Sequence, residues 1–127
     1  VLPLLGSVAA GKPIEALEAE RTIEVPTSLL RGGDCFALKV RGDSMIGDGI
    51  LDGDFVIVRK QAHATNGQTV VALIGSEATI KRYHRVGNRV ELRSANPAYA
   101  PIVIDSETAG KELRIEGILT GLVRSVP

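Results

Sequence analysis

From residue 35 onward the chain repeats one local rule: a short apolar run, a turn-forming pair, then another run. CFALKV (35–40) puts Phe36, Leu38 and Val40 on one side of an extended segment and Lys39 on the other, the period-two pattern of a half-buried strand. DFVIVRK (54–60) follows an Asp-Gly pair, TVVALI (69–74) follows Asn66-Gly67, ATIKRY (78–83) follows Gly75-Ser76, and RVELR (89–93) follows Gly87-Asn88. PIVI (101–104) follows the Asn96-Pro97 region, and LRIEGILTGLVRSV (113–126) closes the series. Runs this short, without long helical patterns between them, argue against a βαβ fold. They predict a mostly β body of coiled antiparallel sheets forming a partly open, barrel-like structure.

Residues 1–34 break the rule. They are rich in Gly and Ala and poor in strand pattern, and read as an N-terminal arm on a β body spanning 35–127. PIEALEAER (13–21) and PTSLL (26–30) have the length for a helical turn or two, enough to cover a sheet edge but not to organise a domain. A chain of 127 residues suits one such domain with a single core.

Composition narrows the function classes. Aromatics make up only 3% of the chain and tryptophan is absent, so the core has to be aliphatic. Fifteen basic residues balance fifteen acidic ones, which removes the electrostatic signature of a domain gripping phosphates; any DNA binding is expected outside this chain. A single cysteine, Cys35, cannot form an internal disulfide, and with only His63 and His84 beside it no zinc cluster or other cofactor is expected. No apolar run has the length of a membrane span. A cytoplasmic protein without membrane contact is the expectation, although the chain starts at Val1 and not at a methionine.

The most unusual stretch is VRGDSMIGDGILDGD (40–54). A strand ends near Val40 and glycines follow, so Ser44 falls where the backbone turns sharply beside a sheet. Such a turn can expose a hydroxyl and gather backbone N–H groups into one space, as a nucleophile and oxyanion hole require. Gly-Asp-Ser is equally an ordinary turn sequence. Asp48, Asp52 and Asp54 in the same stretch do not have the spacing of a calcium loop and read as turn residues.

A nucleophilic serine needs a base. His63 lies in a polar loop, and His84 sits at a strand end between Arg82 and Arg85; neither looks oriented. Lys81 stands inside the run EATIKRY, in phase with Thr79 and Tyr83. A strand lysine ordinarily points to solvent. A free lysine titrates near about 10.4 and is neutral only about 0.04% of the time at pH 7, so acting as a base demands about 4–5 kcal/mol of perturbation. Burial among aliphatic side chains can supply it.

VAAGKP (8–13), GDSM (42–45), ILDGD (50–54), NGQ (66–68) and ATIKRY (78–83) together resemble, in order and spacing, the C-terminal domains of LexA repressors. The similarity continues through VELRSANPAYAPIVID and IEGILTGLVR and so covers nearly the whole chain. These domains belong to a family of self-cleaving serine–lysine proteases shared with some phage repressors and the UmuD polymerase accessory proteins. The resemblance implies that Ser44 is the nucleophile, Lys81 the general base, and Ala10-Gly11 the scissile bond within the arm. It implies an oxyanion hole made by the backbone N–H groups of Asp43 and Ser44. It also implies a homodimer paired through the closing strand (Gly121, Leu122, Val123, Arg124, Ser125 and Val126) and activation by the RecA filament on single-stranded DNA during the SOS response. Operator DNA would be bound by an N-terminal winged helix-turn-helix absent from this chain.

Two other readings compete. A UmuD-like accessory protein of translesion synthesis would share fold and dyad but lack the DNA-binding domain. A non-catalytic β dimerisation module would leave Ser44 as a turn and Lys81 exposed, and a buried, neutral Lys81 would count against it.

Overall fold

The structure is a computed structural model that describes residues 2–7, 21–105 and 113–126. Among the described residues nine strands form one sheet: β1 (Leu2–Ser7), β2 (Arg21–Ile23), β3 (Cys35–Lys39), β4 (Phe55–Lys60), β5 (Thr69–Ile74), β6 (Glu77–Val86), β7 (Arg89–Arg93), β8 (Ile102–Asp105) and β9 (Leu113–Val123). Their order is β2-β1-β3-β4-β9-β5-β6-β7-β8. The chain is therefore mostly β, as its pattern predicts. It is a single sheet open at β2 and β8, not a set of sheets closing toward a barrel, and it is mixed because β1 runs parallel to β3.

β9 is the central strand of this sheet. Its second half pairs with β4, from Lys60↔Gly117 to Phe55↔Val123, while its first half pairs with β5, from Ile74↔Leu113 to Val70↔Ile118. Both ladders shift register along it, and such irregularities bend a strand and let it serve two neighbours. The strand ends at Val123, so Arg124, Ser125 and Val126 lie beyond it, short of the expected run to residue 126.

Burial follows the alternation. Phe36, Leu38, Val40, Val56, Val58, Val71, Leu73, Ala78 and Ile80 join one aliphatic cluster. Val70, Ala72, Val90, Leu92, Ile104 and Ile118 join a second. Successive residues of β5 thus feed different clusters, which is why its run is apolar at every position instead of every other one. A third cluster of Leu2, Leu4, Ala37 and Ile57 shows that the described part of the arm belongs to the sheet. LPLLGS (2–7) has no clean alternation to announce a strand. The expected helix over 13–21 lies outside the described residues apart from Arg21, which opens β2. PTSLL contains a single 3-10 turn at Thr27–Leu29, started by Pro26.

Candidate active site

The loop 41–54 joins β3 to β4 and carries Ser44. Its roots are bonded: the Val40 N–H donates to the Asp54 carbonyl and the Gly53 N–H to the Val40 carbonyl, both at 2.8 Å. Gly42 (φ 88°) turns the chain in the left-handed region that favours glycine, and its N–H donates to Asp52 Oδ1 at 2.8 Å. Met45 and Ile50 are buried in the first cluster and anchor the loop on either side of a 3-10 turn at Ile46–Asp48. Ser44, between the glycine turn and Met45, is left part-buried.

Lys81 lies on β6 opposite Val70 and is only 7% exposed. Its Nζ sits 3.1 Å from Ser44 Oγ, 2.8 Å from Thr79 Oγ1 and 3.1 Å from the Ile80 carbonyl oxygen. Three acceptors match the three protons of an ammonium. Once the amine is neutral, Thr79 and Ile80 can keep its two protons and leave the lone pair for the Ser44 hydroxyl. Among the described residues no carboxylate pairs with Lys81. Burial holds its pKa below the ordinary lysine value. Sequence phase places Thr79 on the same side of the strand as Lys81 but gives no sign that it is an acceptor.

The backbone N–H groups of Asp43 and Ser44 have no hydrogen-bond acceptor among the described residues. The carbonyl groups of the same residues are held: the Asn96 side-chain amide donates to the Asp43 oxygen at 2.9 Å, and the Ala95 N–H to the Ser44 oxygen at 2.8 Å. The Gly47 N–H donates back to the Ala95 carbonyl at 2.6 Å. Tyr99 Oη donates to Asp43 Oδ1 at 2.6 Å. This buttress over residues 95–99 was not legible in the sequence, where Asn96-Pro97 signals only a turn. A cavity of about 40 Å³ beside Ser44 is walled by Met45, Ile50, Ala78 and Ile80.

The acidic residues of the loop are engaged by the protein itself. Asp48 pairs with Arg82, Asp52 accepts from Gly42, and Asp54 is gripped by Arg124 and by the Leu51 N–H. His63 is exposed and His84 is part-buried on β6; neither bonds Ser44. Cys35 donates to the Leu30 carbonyl at 3.2 Å, and burial pushes its thiol up, away from thiolate chemistry. Ala10 and Gly11 lie outside the described residues. Gly121, Leu122 and Val123 bond β4 along one edge. Among the described residues no helix is long and apolar enough to cross a membrane.

Comparison with known proteins agrees in kind. The Peptidase S24-like family matches residues 3–120. A LexA repressor of Syntrophotalea carbinolica is 58% identical over 123 residues, covering 97% of this chain and 59% of that protein. One from Syntrophobacter fumaroxidans is 48% identical over 124 residues, covering 98% of this chain and 58% of that protein. One from Zymomonas mobilis is 50% identical over 124 residues, with 97% and 55% covered. The chain thus spans less than two thirds of the length of these curated relatives. With the family matched from the first described strand into β9, the chain belongs to the Peptidase S24-like family.

Proposed function

We propose that this chain is the self-cleaving serine–lysine peptidase part of a LexA-type repressor and that it hydrolyses its own Ala10-Gly11 bond. The observation that carries this reading is Lys81: a lysine buried on a strand, without an ion-pair partner among the described residues, with its amine 3.1 Å from the Ser44 hydroxyl.

The chemistry follows from the arrangement. Neutral Lys81 takes the hydroxyl proton as Ser44 Oγ attacks the Ala10 carbonyl carbon. The tetrahedral oxyanion is met by the N–H groups of Asp43 and Ser44, which are free of acceptors among the described residues. Lys81 then gives its proton to the departing Gly11 amine. An acyl-enzyme at Ser44 remains until a water molecule, deprotonated by Lys81, attacks the ester carbon. The small cavity beside Ser44 suits the methyl side chains of Ala9 and Ala10, and Gly11 allows the turn that brings the bond in.

The relatives are repressors by name, and they extend well beyond the matched region. On this reading, a DNA-binding segment reads the operator and this domain supplies the homodimer. Support for pairing through Gly121–Val126 comes from β9, whose edge beyond Ile118 has no β5 partner among the described residues. Cleavage is triggered by the RecA filament on single-stranded DNA, which shifts the arm from a parked to a docked state.

Intact-mass analysis at neutral and alkaline pH, with and without RecA filament, tests the proposal. Loss of the first ten residues, faster at alkaline pH and absent from Ser44→Ala and Lys81→Ala, is the expected result. A chain that stays whole under every condition would overturn it.

A further inference from the structure

Asp43 is an awkward residue to find beside a nucleophile. Its carboxylate sits one position before Ser44, on the turn whose N–H groups lack acceptors among the described residues. Aspartate side chains readily bond their own and neighbouring backbone N–H groups. Left to itself, Asp43 would turn onto these donors and set a negative charge where an oxyanion has to form.

Tyr99 prevents this in the structure. Its hydroxyl donates to Asp43 Oδ1 at 2.6 Å, and both side chains are exposed, so the carboxylate is drawn to the solvent side of the turn. Tyr99 is itself placed by neighbours: its N–H donates to the Asn96 carbonyl at 3.1 Å. The Asn96 side chain donates to the Asp43 carbonyl while its Oδ1 accepts from the Ala98 N–H, each at 2.9 Å. One short turn therefore sets both the backbone and the carboxylate of Asp43.

We propose that Tyr99 is a positioning residue for self-cleavage: it holds the Asp43 carboxylate away from the Ser44 turn and so keeps the turn's N–H groups open to the oxyanion. This rests on the serine–lysine reading above. A phenol suits the task, because the bond to Asp43 pushes the Tyr99 pKa up, so the hydroxyl remains a donor to higher pH than a free phenol does.

A square of variants in the full chain tests it. Tyr99→Phe slows cleavage by about tenfold, a fraction of what outright loss of an oxyanion donor removes. In an Asp43→Ala background the same change has no further effect, because the carboxylate that Tyr99 restrains is gone. An equal loss in both backgrounds would make Tyr99 a simple prop, and no loss in the first would remove its role; either overturns the proposal.

A second readout does not depend on cleavage. In Tyr99→Phe the backbone amides of Asp43 and Ser44 exchange with deuterium several-fold more slowly than in the unaltered chain, because the carboxylate now bonds them, and Asp43→Ala abolishes the slowing. Exchange that is unchanged in Tyr99→Phe overturns the proposal even where cleavage proceeds. Should the unaltered chain fail to cut, the peptidase reading falls, and amide exchange still decides what Tyr99 does to Asp43.

Discussion

Arg124 grips both carboxylate oxygens of Asp54: Nε donates to Oδ1 and Nη2 to Oδ2, each at 2.7 Å. The same Nη2 donates to the Gly49 carbonyl at 2.7 Å, and Asp54 Oδ2 accepts from the Leu51 N–H at 2.7 Å. A residue just past β9 thus locks the far half of the loop that carries Ser44. Fork geometry of this kind fixes orientation as well as charge. The segment proposed to pair two copies and the proposed active-site loop therefore share one ion pair.

Replacing Arg124 with Ala strands a carboxylate that is 2% exposed, and a buried charge without its partner is strongly unfavourable. The melting midpoint is expected to fall by several degrees at neutral pH. The hydrogen bonds from Arg124, ahead of all other causes, hold the Asp54 pKa below the usual carboxylate value. The stabilisation is accordingly complete above about pH 4 and vanishes as pH falls through the lowered value. Thermal unfolding of both chains across that range should show the gap closing in acid; a gap independent of pH would locate the effect elsewhere.

How much of this was legible beforehand depends on how local the signal is. Residues 35–39, 69–74 and 89–93 alternate or run apolar between turn pairs, and each is a strand where its pattern puts it. The parallel pairing of Leu4 with Ala37 leaves no trace in either segment, because it is set by what the third cluster buries. Likewise β9 looks like any closing strand, and its place between β4 and β5 follows from partners far away in the chain. At the candidate site, Ser44 and Lys81 stand out as a turn serine and a strand lysine. Asn96 and Tyr99 do not, since hydrogen bonds to residues tens of positions away have no periodicity; Thr79, two residues from Lys81 and in phase with it, carries no local mark of an acceptor.

Burial of Lys81 leaves its mark on stability as well as chemistry. Because the folded chain lowers the lysine's pKa, the unfolded chain binds more protons in the window between the lowered value and about 10.4. Stability contributed by this site therefore rises with pH through that window. Lys81→Met has no such group, so in a Ser44→Ala background the chain with Lys81 should gain on the Lys81→Met chain as pH rises. Urea midpoints measured from neutral to alkaline pH give the comparison. Parallel curves would mean that Lys81 titrates alike in both states, and the case for a neutral base would go with them.

Gly47 offers a way to move Ser44 without touching it. A Cβ there would lie 2.5 Å from the Ala95 carbonyl oxygen, which is backbone and cannot swing aside. Gly47→Ala must push the 3-10 turn off residues 95–99 and break the 2.6 Å bond between the Gly47 N–H and that carbonyl. The expected destabilisation is about 1–3 kcal/mol, typical of overpacking. Gly117→Ala is the control. Its Cβ would meet the Arg59 carbonyl and Val58 Cγ1 in the β4–β9 ladder, so it overpacks the sheet and leaves the 95–99 buttress alone. Both variants should melt earlier, but at a temperature where both stay folded only Gly47→Ala should cleave more slowly, by about tenfold or more given how steeply rate depends on placement. Equal rates in the two variants would show that the contact between Gly47 and Ala95 does not set the position of Ser44.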